Sequence, residues 1–187
     1  NAYGLYAGFS GDAANNQSFL TNSGAITAST SGDNANAYGL YAGFGAGGTN
    51  NQVYVNNSGL LAASASGANS QAHGMYFNLP GASNQAYVKS TGIVLASGST
   101  ARQLTAQGLA GVGGTVNVAA WNLALQDYSK QDSNQKPFVA IDGATLHFGP
   151  DSTKADDGGS DLYVYPSSQN FAWGKAYALK DIFYTEN

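Results

Sequence analysis

A nine-residue segment that occurs twice limits what this chain can fold into. Residues 1–9 read NAYGLYAGF, and residues 36–44 read NAYGLYAGF again, 35 positions later. A looser copy, QAHGMYF, begins at Gln71, another 35 positions on. A fixed period of this length is typical of folds in which each repeat is one structural unit stacked on the next.

The rest of the unit repeats as well. NNQSFLTNSGAITAST from Asn15 corresponds to NNQVYVNNSGLLAASA from Asn50 and, after a two-residue deletion, to SNQAYVKSTGIVLASG from Ser83. A degraded fourth copy, AQGLAGVGG, is expected to begin at Ala106. No match occurs at a period near 18, so the whole 35-residue unit is interpreted as one rung.

Each unit contains three short stretches that favour strands. In the second unit they are residues 37–44, 52–56 and 60–64, and segments rich in Gly, Asn and Ser separate them as turns. Helix is excluded because apolar residues do not recur at helical spacing and Gly interrupts every window. The predicted fold is all-β: a parallel β-helix, or solenoid, with three strands per rung.

Stacked rungs place equivalent residues above one another, about 4.8 Å apart. The expected ladders are Leu5, Leu40 and Met75; Tyr6, Tyr41 and Tyr76; Phe19, Tyr54 and Tyr87; and Ile26, Leu61 and Val94. Stacked Asn amides hydrogen-bond along the axis of such structures. We expect this of Asn22 and Asn57 at the NSG corner, with the ladder ending where Lys89 and Ser90 follow.

Small residues are also repeated. Gly4, Gly39 and Gly74 occupy the same place in three units. They are interpreted as allowing the close approach of a neighbouring wall or a bend, and the alternative is the floor of a groove.

Charge divides the chain near Gln126. Residues 1–126 hold two acids and two bases, net zero, whereas residues 127–187 hold nine acids and five bases, net -4. We therefore predict two parts: parallel β-helix repeats over 1–126, and a distinct β-rich segment over 127–187 that caps the open strand edges.

The second part also contains patterns typical of strands. Residues 115–128 are expected to add a pair of strands or a closing rung. Residues 136–150 read as two strands around Asp142-Gly143, which indicates either a hairpin or another corner. Residues 160–166 form a further predicted strand, and residues 170–184 are an aromatic-rich end.

Composition excludes several classes of protein. The chain has no Cys, which excludes disulfide scaffolds and thiolate metal sites. A net charge of -4 argues against nucleic acid as a partner. No apolar run approaches the roughly 20 residues of a membrane helix, so no membrane insertion by this segment is expected. Because the chain opens at Asn1 without Met, a basic region or an apolar leader, we expect a piece of a longer chain.

Few residues have the chemistry of a catalytic or metal site. Asp12 and Asp33 are the only carboxylates of the repeats, and neither recurs in the next unit, so a glycosidase-like pair is not expected. His73 replaces a ladder Tyr and is interpreted as a packing or surface substitution, and His147 has no second His or Cys nearby. GLAGVGG, residues 108–114, lacks the Lys of a phosphate loop.

One acidic loop leaves an alternative open. Four acids, Asp151, Asp156, Asp157 and Asp161, offer oxygen ligands that suit calcium, but their glycine spacing departs from the calcium-binding repeat. A solvated loop is the preferred interpretation. We therefore predict no catalytic, cofactor-binding or metal site and no enzyme activity.

The repeats resemble a known family. TNSGAITASTSG and NNSGLLAASASG, followed by AYGLYAGF, resemble the passenger domains of Gram-negative autotransporters over roughly residues 1–100. That resemblance implies a right-handed β-helix exported to the extracellular bacterial cell surface. Residues 127–187 do not resemble the family's membrane barrel and are expected to match the stabilising end of a passenger.

The resemblance implies an adhesin, acting in adhesion, self-association or biofilm contacts. Its expected partners are host or bacterial surface glycans or proteins, or other copies of the chain. Two alternatives remain: a polysaccharide-active β-helix enzyme, which needs two carboxylates facing one groove, and a passive structural stalk, which needs no exposed apolar or aromatic patch.

Overall fold

A computed structural model gives the fold of part of the chain. It describes residues 1–81, 83–98, 100–108, 113–125, 139–142, 145–148, 161–166 and 183–186. No helix occurs among these residues, as the absence of helical periodicity predicts.

The described residues form fourteen strands. Their bounds are β1 Ala2–Phe9, β2 Gln17–Asn22, β3 Ala25–Thr30, β4 Asn36–Phe44, β5 Gln52–Asn57, β6 Leu60–Ala65, β7 Gln71–Asn78, β8 Gln85–Gly98, β9 Thr100–Gln107, β10 Thr115–Leu125, β11 Val139–Asp142, β12 Thr145–Phe148, β13 Asp161–Pro166 and β14 Phe183–Glu186. The three strands expected in the second unit are β4, β5 and β6, each extended by one residue.

The strands lie in two sheets, and every described pairing is parallel. The first sheet has the order β1-β4-β7-β9-β11-β14. The second has the order β12-β10-β8-β5-β2, with β13 on β10, and β6 between β3 and β8. Each unit therefore contributes one strand to the first sheet and two to the second. In the third unit these two are continuous, because β8 runs through the corner where β5 and β6 are separate strands.

Equivalent residues of successive units pair in register. Leu5 pairs with Leu40, which pairs with Met75, so the first ladder predicted from the sequence is confirmed. The other three apolar and aromatic ladders are confirmed in the same way. The unit spacing of 35 positions is thus the spacing of the pairing itself.

Alternation along each strand separates a core face from a solvent face. In β5 the side chains of Val53, Val55 and Asn57 are buried, whereas those between them are partly or fully exposed. The main core contains Leu40, Leu61 and their ladder neighbours from both sheets. A second, smaller cluster consists of alanines at the far end of the same rungs, such as Ala37, Ala65 and Ala72. Burial of this apolar area stabilises the fold by about 25 cal/mol per Å².

The three repeated glycines lie against residues of the other sheet. A Cβ on Gly4 would be 2.4 Å from Cγ2 of Ile26, and one on Gly74 would be 2.4 Å from Cγ1 of Val94. In β4 the inward residues Ala37 and Leu40 are three positions apart, whereas regular alternation places inward residues two or four apart. Gly39 lies at this irregularity of the strand. The interpretation of these glycines as close-approach residues is confirmed, and a groove floor is excluded because the opposite wall occupies the space.

The spacing of the units contracts along the chain, which corrects the predicted fourth copy. β7 begins at Gln71 and its partner β9 begins at Thr100, 29 positions later, with Gln71 opposite Thr100. The fourth strand of the first sheet is therefore TARQLTAQ, which ends where AQGLAGVGG was expected to begin. Ala106 instead pairs with Phe77 near the end of the strand. The sequence comparison missed this strand because it shares the burial pattern of its neighbours but few of their residues.

The strands beyond residue 126 join the same two sheets. β11 pairs with β9 in the first sheet, and β12 and β13 pair with β10 in the second. Because β11 and β12 lie in different sheets, the hairpin predicted at Asp142-Gly143 is wrong. The other predicted alternative, a corner between the two sheets, is favoured. The strand predicted over 160–166 is confirmed as β13. A separate capping role for 127–187 stays a prediction, since most of that segment lies outside the described residues.

Substitution at Gly39 tests the close approach. We expect Gly39→Ala to lower the free energy of unfolding by about 1–3 kcal/mol. Its Cβ would lie 2.6 Å from the carbonyl oxygen of Gly74 in the adjacent strand and 3.4 Å from the backbone of Ala62 in the other sheet. The control is Gly24→Ala, whose Cβ meets no atom within 4 Å and which should change stability by less than about 0.5 kcal/mol. Urea unfolding followed by circular dichroism measures both. Equal effects of the two substitutions would contradict the packing described here.

Candidate binding surfaces

Asp12 and Asp33 lie too far apart to act as a catalytic pair. Asp12 follows the carboxyl end of β1, whereas Asp33 precedes the amino end of β4, the parallel neighbour of β1. A strand of this length spans about 26 Å at 3.3 Å per residue. Glycosidase carboxylates stand roughly 5–10 Å apart, so these two cannot act on one glycosidic bond.

Both carboxylates instead contact the next unit. Asp33 Oδ1 accepts a hydrogen bond from the backbone N–H of Ala68 at 2.8 Å. The carboxylate of Asp12 lies against Gly47, where a Cβ would be 1.9 Å from its Oδ1. Ala68 and Gly47 are the positions 35 residues on, so each Asp contacts its own equivalent in the second unit.

His73 is a packing residue. It pairs in register with Tyr38 and Arg102, and only 4% of its surface is exposed. Its ring stacks on Tyr38 with a centroid separation of 5.3 Å. Nδ1 lies 2.8 Å from Oγ1 of Thr105, and Nε2 lies 3.2 Å from Oε1 of Gln71. Since the Gln71 oxygen only accepts, Nε2–H donates to it and Nδ1 accepts from the Thr105 hydroxyl, which fits a neutral imidazole.

The charge state of His73 follows from its surroundings. Burial first, and the Arg102 guanidinium second, lower the pKa of His73 from its ordinary 6.5 to about 3. The imidazole is therefore neutral near pH 7 and does not serve as a general acid or base there.

Two columns of rings cover the outer side of the first sheet, and we name them the aromatic face. They consist of Tyr3, Tyr38 and His73 in one column and Tyr6, Tyr41 and Tyr76 in the other. Within a column the rings stack, with Tyr3 and Tyr38 5.1 Å apart and inclined by 9°. Between columns they meet edge to face, as Tyr38 and Tyr41 do at 5.2 Å and 81°. Each such contact adds about 0.5–1.5 kcal/mol beyond area burial.

Stacking along the column hides the flat sides of the inner rings. Tyr38 lies between the rings of Tyr3 and His73, and it keeps only 7% of its surface exposed. Tyr3 and Tyr6, which end the columns, are 45% and 59% exposed.

The inner hydroxyls are held in place and stay protonated. Burial raises the pKa of Tyr38 and Tyr41 above the ordinary 10.0, and neighbouring tyrosines raise it further. Hydrogen bonds oppose the shift, since Asn36 donates to the Tyr38 hydroxyl at 3.1 Å and Asn78 bonds that of Tyr41. Tyr38, Tyr41 and His73 are therefore uncharged around neutral pH, and Arg102 is buried beside His73.

A second outer surface, which we name the neutral face, consists of the outward side chains of β2, β3, β5, β6 and β8. Its ladders include Gln17, Gln52 and Gln85; Phe19, Tyr54 and Tyr87; and Ala25, Leu60 and Ile93. Among the outward positions of these strands, all of which belong to the described part of the chain, Lys89 alone carries a charge. Phe19 is 71% exposed and Ile93 53% exposed.

Hydrogen bonds and stacked rings order the side chains of the neutral face. Gln17 Nε2 donates to Gln52 Oε1 at 2.9 Å, and the Tyr54 hydroxyl donates to the same oxygen at 2.8 Å. In the third unit, the Tyr87 hydroxyl donates in the same way to Oε1 of Gln85, two residues before it in β8. The rings of Phe19, Tyr54 and Tyr87 stack at 4.9 Å. The result is a regular polar and apolar surface suited to contact with another large surface.

The corners between strands contain buried polar ladders. Asn22 Nδ2 donates to Asn57 Oδ1 at 2.9 Å, which confirms the predicted amide stack. The expectation that this ladder ends at the third unit is wrong, because Asn57 Nδ2 donates to the Ser90 hydroxyl at 3.0 Å. A hydroxyl accepts there in place of an amide, so the ladder continues by one step.

A second corner ladder was not predicted. Asn51 Oδ1 accepts from the backbone N–H of Asn16 at 3.1 Å, and Asn84 Oδ1 accepts from that of Asn51 at 3.0 Å. Both Asn51 and Asn84 are fully buried. Their alignment in the repeated NNQ and SNQ segments was a signal that sequence reasoning could have used.

The remaining candidate residues fall mostly outside the described part of the chain. Asp151, Asp156 and Asp157 lie there, as does much of GLAGVGG, whereas Asp161 begins β13 opposite Ala120. His147 is on β12 opposite Asn117. Within the part of the chain that the structure describes, no three His, Cys, Asp or Glu residues are grouped so as to hold a metal ion. No helix with the length and hydropathy to cross a bilayer occurs in the same part.

Acid stability tests the environment of His73. Because the folded pKa lies below the unfolded value, unfolded chains bind this proton first, and stability falls as the pH drops from about 6.5 towards 3. The loss amounts to a few kcal/mol at most, at about 1.4 kcal/mol per pKa unit. His73→Tyr, which restores the residue of the two preceding units, should lose less stability over this range. Urea unfolding at pH 7.5 and 4.5 measures the difference, and a parallel decline of both proteins would contradict the assignment.

Comparisons with known proteins found no relative. No family model matches the chain, no curated protein matches it, and no solved structure matches it.

Proposed function

We propose that the chain is a cell-surface passenger module of the autotransporter type, acting in adhesion, self-association or biofilm contacts. In this proposal the stacked units form a right-handed parallel β-helix with three strands per rung, and residues 127–187 close its end. The module is extracellular, is not an enzyme and needs no cofactor. Its partners are glycans or proteins on host or bacterial surfaces, or other copies of the chain.

The neutral face is the observation that carries the proposal. Across five strands, the outward positions repeat the same few residue types and include one charge, Lys89. Exposed apolar and aromatic area of this kind is typical of interaction surfaces on soluble proteins. It also favours an adhesin over a passive stalk, which needs no such surface.

The charges support the choice of partner. Nucleic acid requires basic patches, and of the two bases in residues 1–126 Arg102 is 7% exposed. Because Lys89 is the one charge among the outward positions of the neutral face, two copies of the chain can meet there with little like-charge repulsion. The separation of Asp12 and Asp33 disfavours the alternative of a polysaccharide-active enzyme acting through the repeats.

Self-association is the most direct test. We expect the purified protein to associate reversibly in sedimentation velocity as its concentration rises. A variant with Thr21→Glu and Thr27→Glu should raise the dissociation constant for self-association about tenfold or more. Both threonines are exposed on the neutral face, so the added negative charges of two copies would repel each other there. The matched control is Ser10→Glu with Ser66→Glu, which adds the same charge at exposed positions outside the strands.

Binding to cells completes the test. The fluorescently labelled protein is applied to bacteria and to host epithelial cells, and the same pair of variants is compared. Wild-type protein that neither associates with itself nor binds to either surface would contradict the proposal and favour a passive stalk.

A further inference from the structure

One column of the neutral face brings two phenol rings together across the boundary between the second and third units. Tyr54 pairs in register with Tyr87, and their ring centroids are 4.9 Å apart with planes inclined by 10°. Each hydroxyl donates to the side-chain oxygen of the Gln two residues before it, Gln52 or Gln85, so the two rings point the same way. Equivalent carbons of the two rings therefore lie almost directly above one another.

Stacked phenols have a reaction open to them that other stacked rings do not. A tyrosine that loses one electron and its hydroxyl proton becomes a phenoxyl radical, which shares its unpaired electron with the ring carbons ortho to the oxygen. Two such radicals combine through a carbon–carbon bond between ortho carbons. Phe19, the third ring of the column, has no hydroxyl and cannot form this radical. Tyr54 therefore has one coupling partner next to it in the column, Tyr87.

The position of the pair also suits coupling. The new bond joins two ring edges, so each ring must tilt out of the stack. Tyr54 and Tyr87 are both partly exposed on the outer side of their sheet, so the tilt carries each ring towards solvent. Among the described residues, the ring of Tyr54 contacts other rings only along its column, with Phe19 on one side and Tyr87 on the other.

The aromatic face holds its rings more tightly. The ring of Tyr41 stacks on that of Tyr76 and also meets that of Tyr38 edge to face. It lies on the backbone of Gly43, where a Cβ would be 2.6 Å from ring carbon Cε1. A tilt of Tyr41 would break these packed contacts, so coupling is disfavoured there although the rings are nearly as close, at 5.3 Å.

We propose that Tyr54 and Tyr87 are a site of oxidative cross-linking, where a dityrosine bond joins the second unit of the repeat to the third. The oxidant is hydrogen peroxide acting through a haem peroxidase. Each phenol gives one electron to the enzyme and one proton to water, and the peroxide is reduced to two molecules of water. After the ortho carbons have bonded, the hydrogen on each of them moves to the oxygen and restores two phenols. The pair thus loses two hydrogen atoms in all.

The bond would link the units of a chain that has no other oxidative cross-link of the usual kind. The chain has no Cys, so disulfides cannot join one unit to the next. Tyr54 and Tyr87 occupy the same position in successive units, so their coupling closes a loop of one whole rung. A covalent link across a loop of this length restricts the unfolded chain and thereby stabilises the fold.

Peptide mapping of the oxidised protein tests the proposal. The purified protein is treated in dilute solution with hydrogen peroxide and a haem peroxidase, digested with pepsin and searched by mass spectrometry for peptide pairs joined with the loss of two hydrogen atoms. Among the seven tyrosines of residues 1–126, we expect the pair Tyr54–Tyr87 to be about tenfold more abundant than any other, since the register holds these rings together. Unfolding in urea before oxidation should abolish this preference.

Two single substitutions give a matched comparison. Tyr54→Phe keeps a ring that stacks in this column, as Phe19 does, and should remove most of the dityrosine fluorescence that oxidation produces. The control is Tyr3→Phe, which removes a tyrosine of the aromatic face that is 45% exposed and should leave the fluorescence nearly unchanged. In the gain-of-function variant Phe19→Tyr, a second linked pair should form between position 19 and Tyr54.

Three results would overturn the proposal. They are a different predominant pair among these tyrosines, an equal loss of fluorescence in Tyr54→Phe and Tyr3→Phe, and linked peptides that come from two different copies when isotope-labelled and unlabelled proteins are mixed before oxidation. The cross-link lies within one chain, so failure of the adhesin function would leave these results unaffected.

Discussion

The structure depends on one constraint: each side chain must match the residue stacked on it in the next unit. Parallel strands in register place Leu5, Leu40 and Met75 in one column, and Asn22, Asn57 and Ser90 in another. A polar residue in an apolar column, or the reverse, would bury an unmatched group in two interfaces at once. The register therefore requires residues stacked at the core and the corners to agree in polarity, whereas their identity can change from unit to unit.

The corners hold this register more firmly than the strands. Inside a strand, sliding by two residues would still place apolar residues on the core face. At the corners, Asn51 binds the backbone of the preceding unit through both Oδ1 and Nδ2, and Ser70 bonds to Ala35 N–H and the Gly32 carbonyl. A slip would leave these buried amides and hydroxyls without partners, at about 1–3 kcal/mol each. The buried polar residues thus specify the stacking that the apolar ladders stabilise.

Regular stacking also determines the surfaces. The same register that buries Val53 and Val55 sends Gln52 and Tyr54 outward, so every outer position is repeated a unit away. Outer surfaces of this kind are periodic, because each outward residue lies next to its equivalents in the neighbouring units. On the aromatic face, His73 is the one residue of the two columns that is not a tyrosine, and it pairs with Arg102 in the next strand.

Much of this could be predicted from the sequence because the repeat is nearly exact over two units. The strands of the second unit, four ladders, the close approach at Gly39 and the Asn22–Asn57 bond follow from alignment and alternation alone. The strand at residues 100–107 could not be found in this way, because the spacing had contracted to 29 and few residues matched. For the same reason the contact between His73 and Arg102 was invisible in the sequence. Ser90 was missed because an amide and a hydroxyl look different in an alignment but accept the same hydrogen bond.

Disulfide trapping tests the register most directly. Thr21 and Asn56 are exposed register partners, and stacked Cα atoms about 4.8 Å apart are within reach of a disulfide. The chain has no Cys of its own, so Thr21→Cys with Asn56→Cys creates a single possible bridge. We expect rapid and complete intramolecular oxidation of this pair, and slow oxidation of Thr21→Cys with Ser58→Cys, which is two residues out of register. Equal rates, or faster oxidation of the out-of-register pair, would contradict the stacking on which the whole account depends.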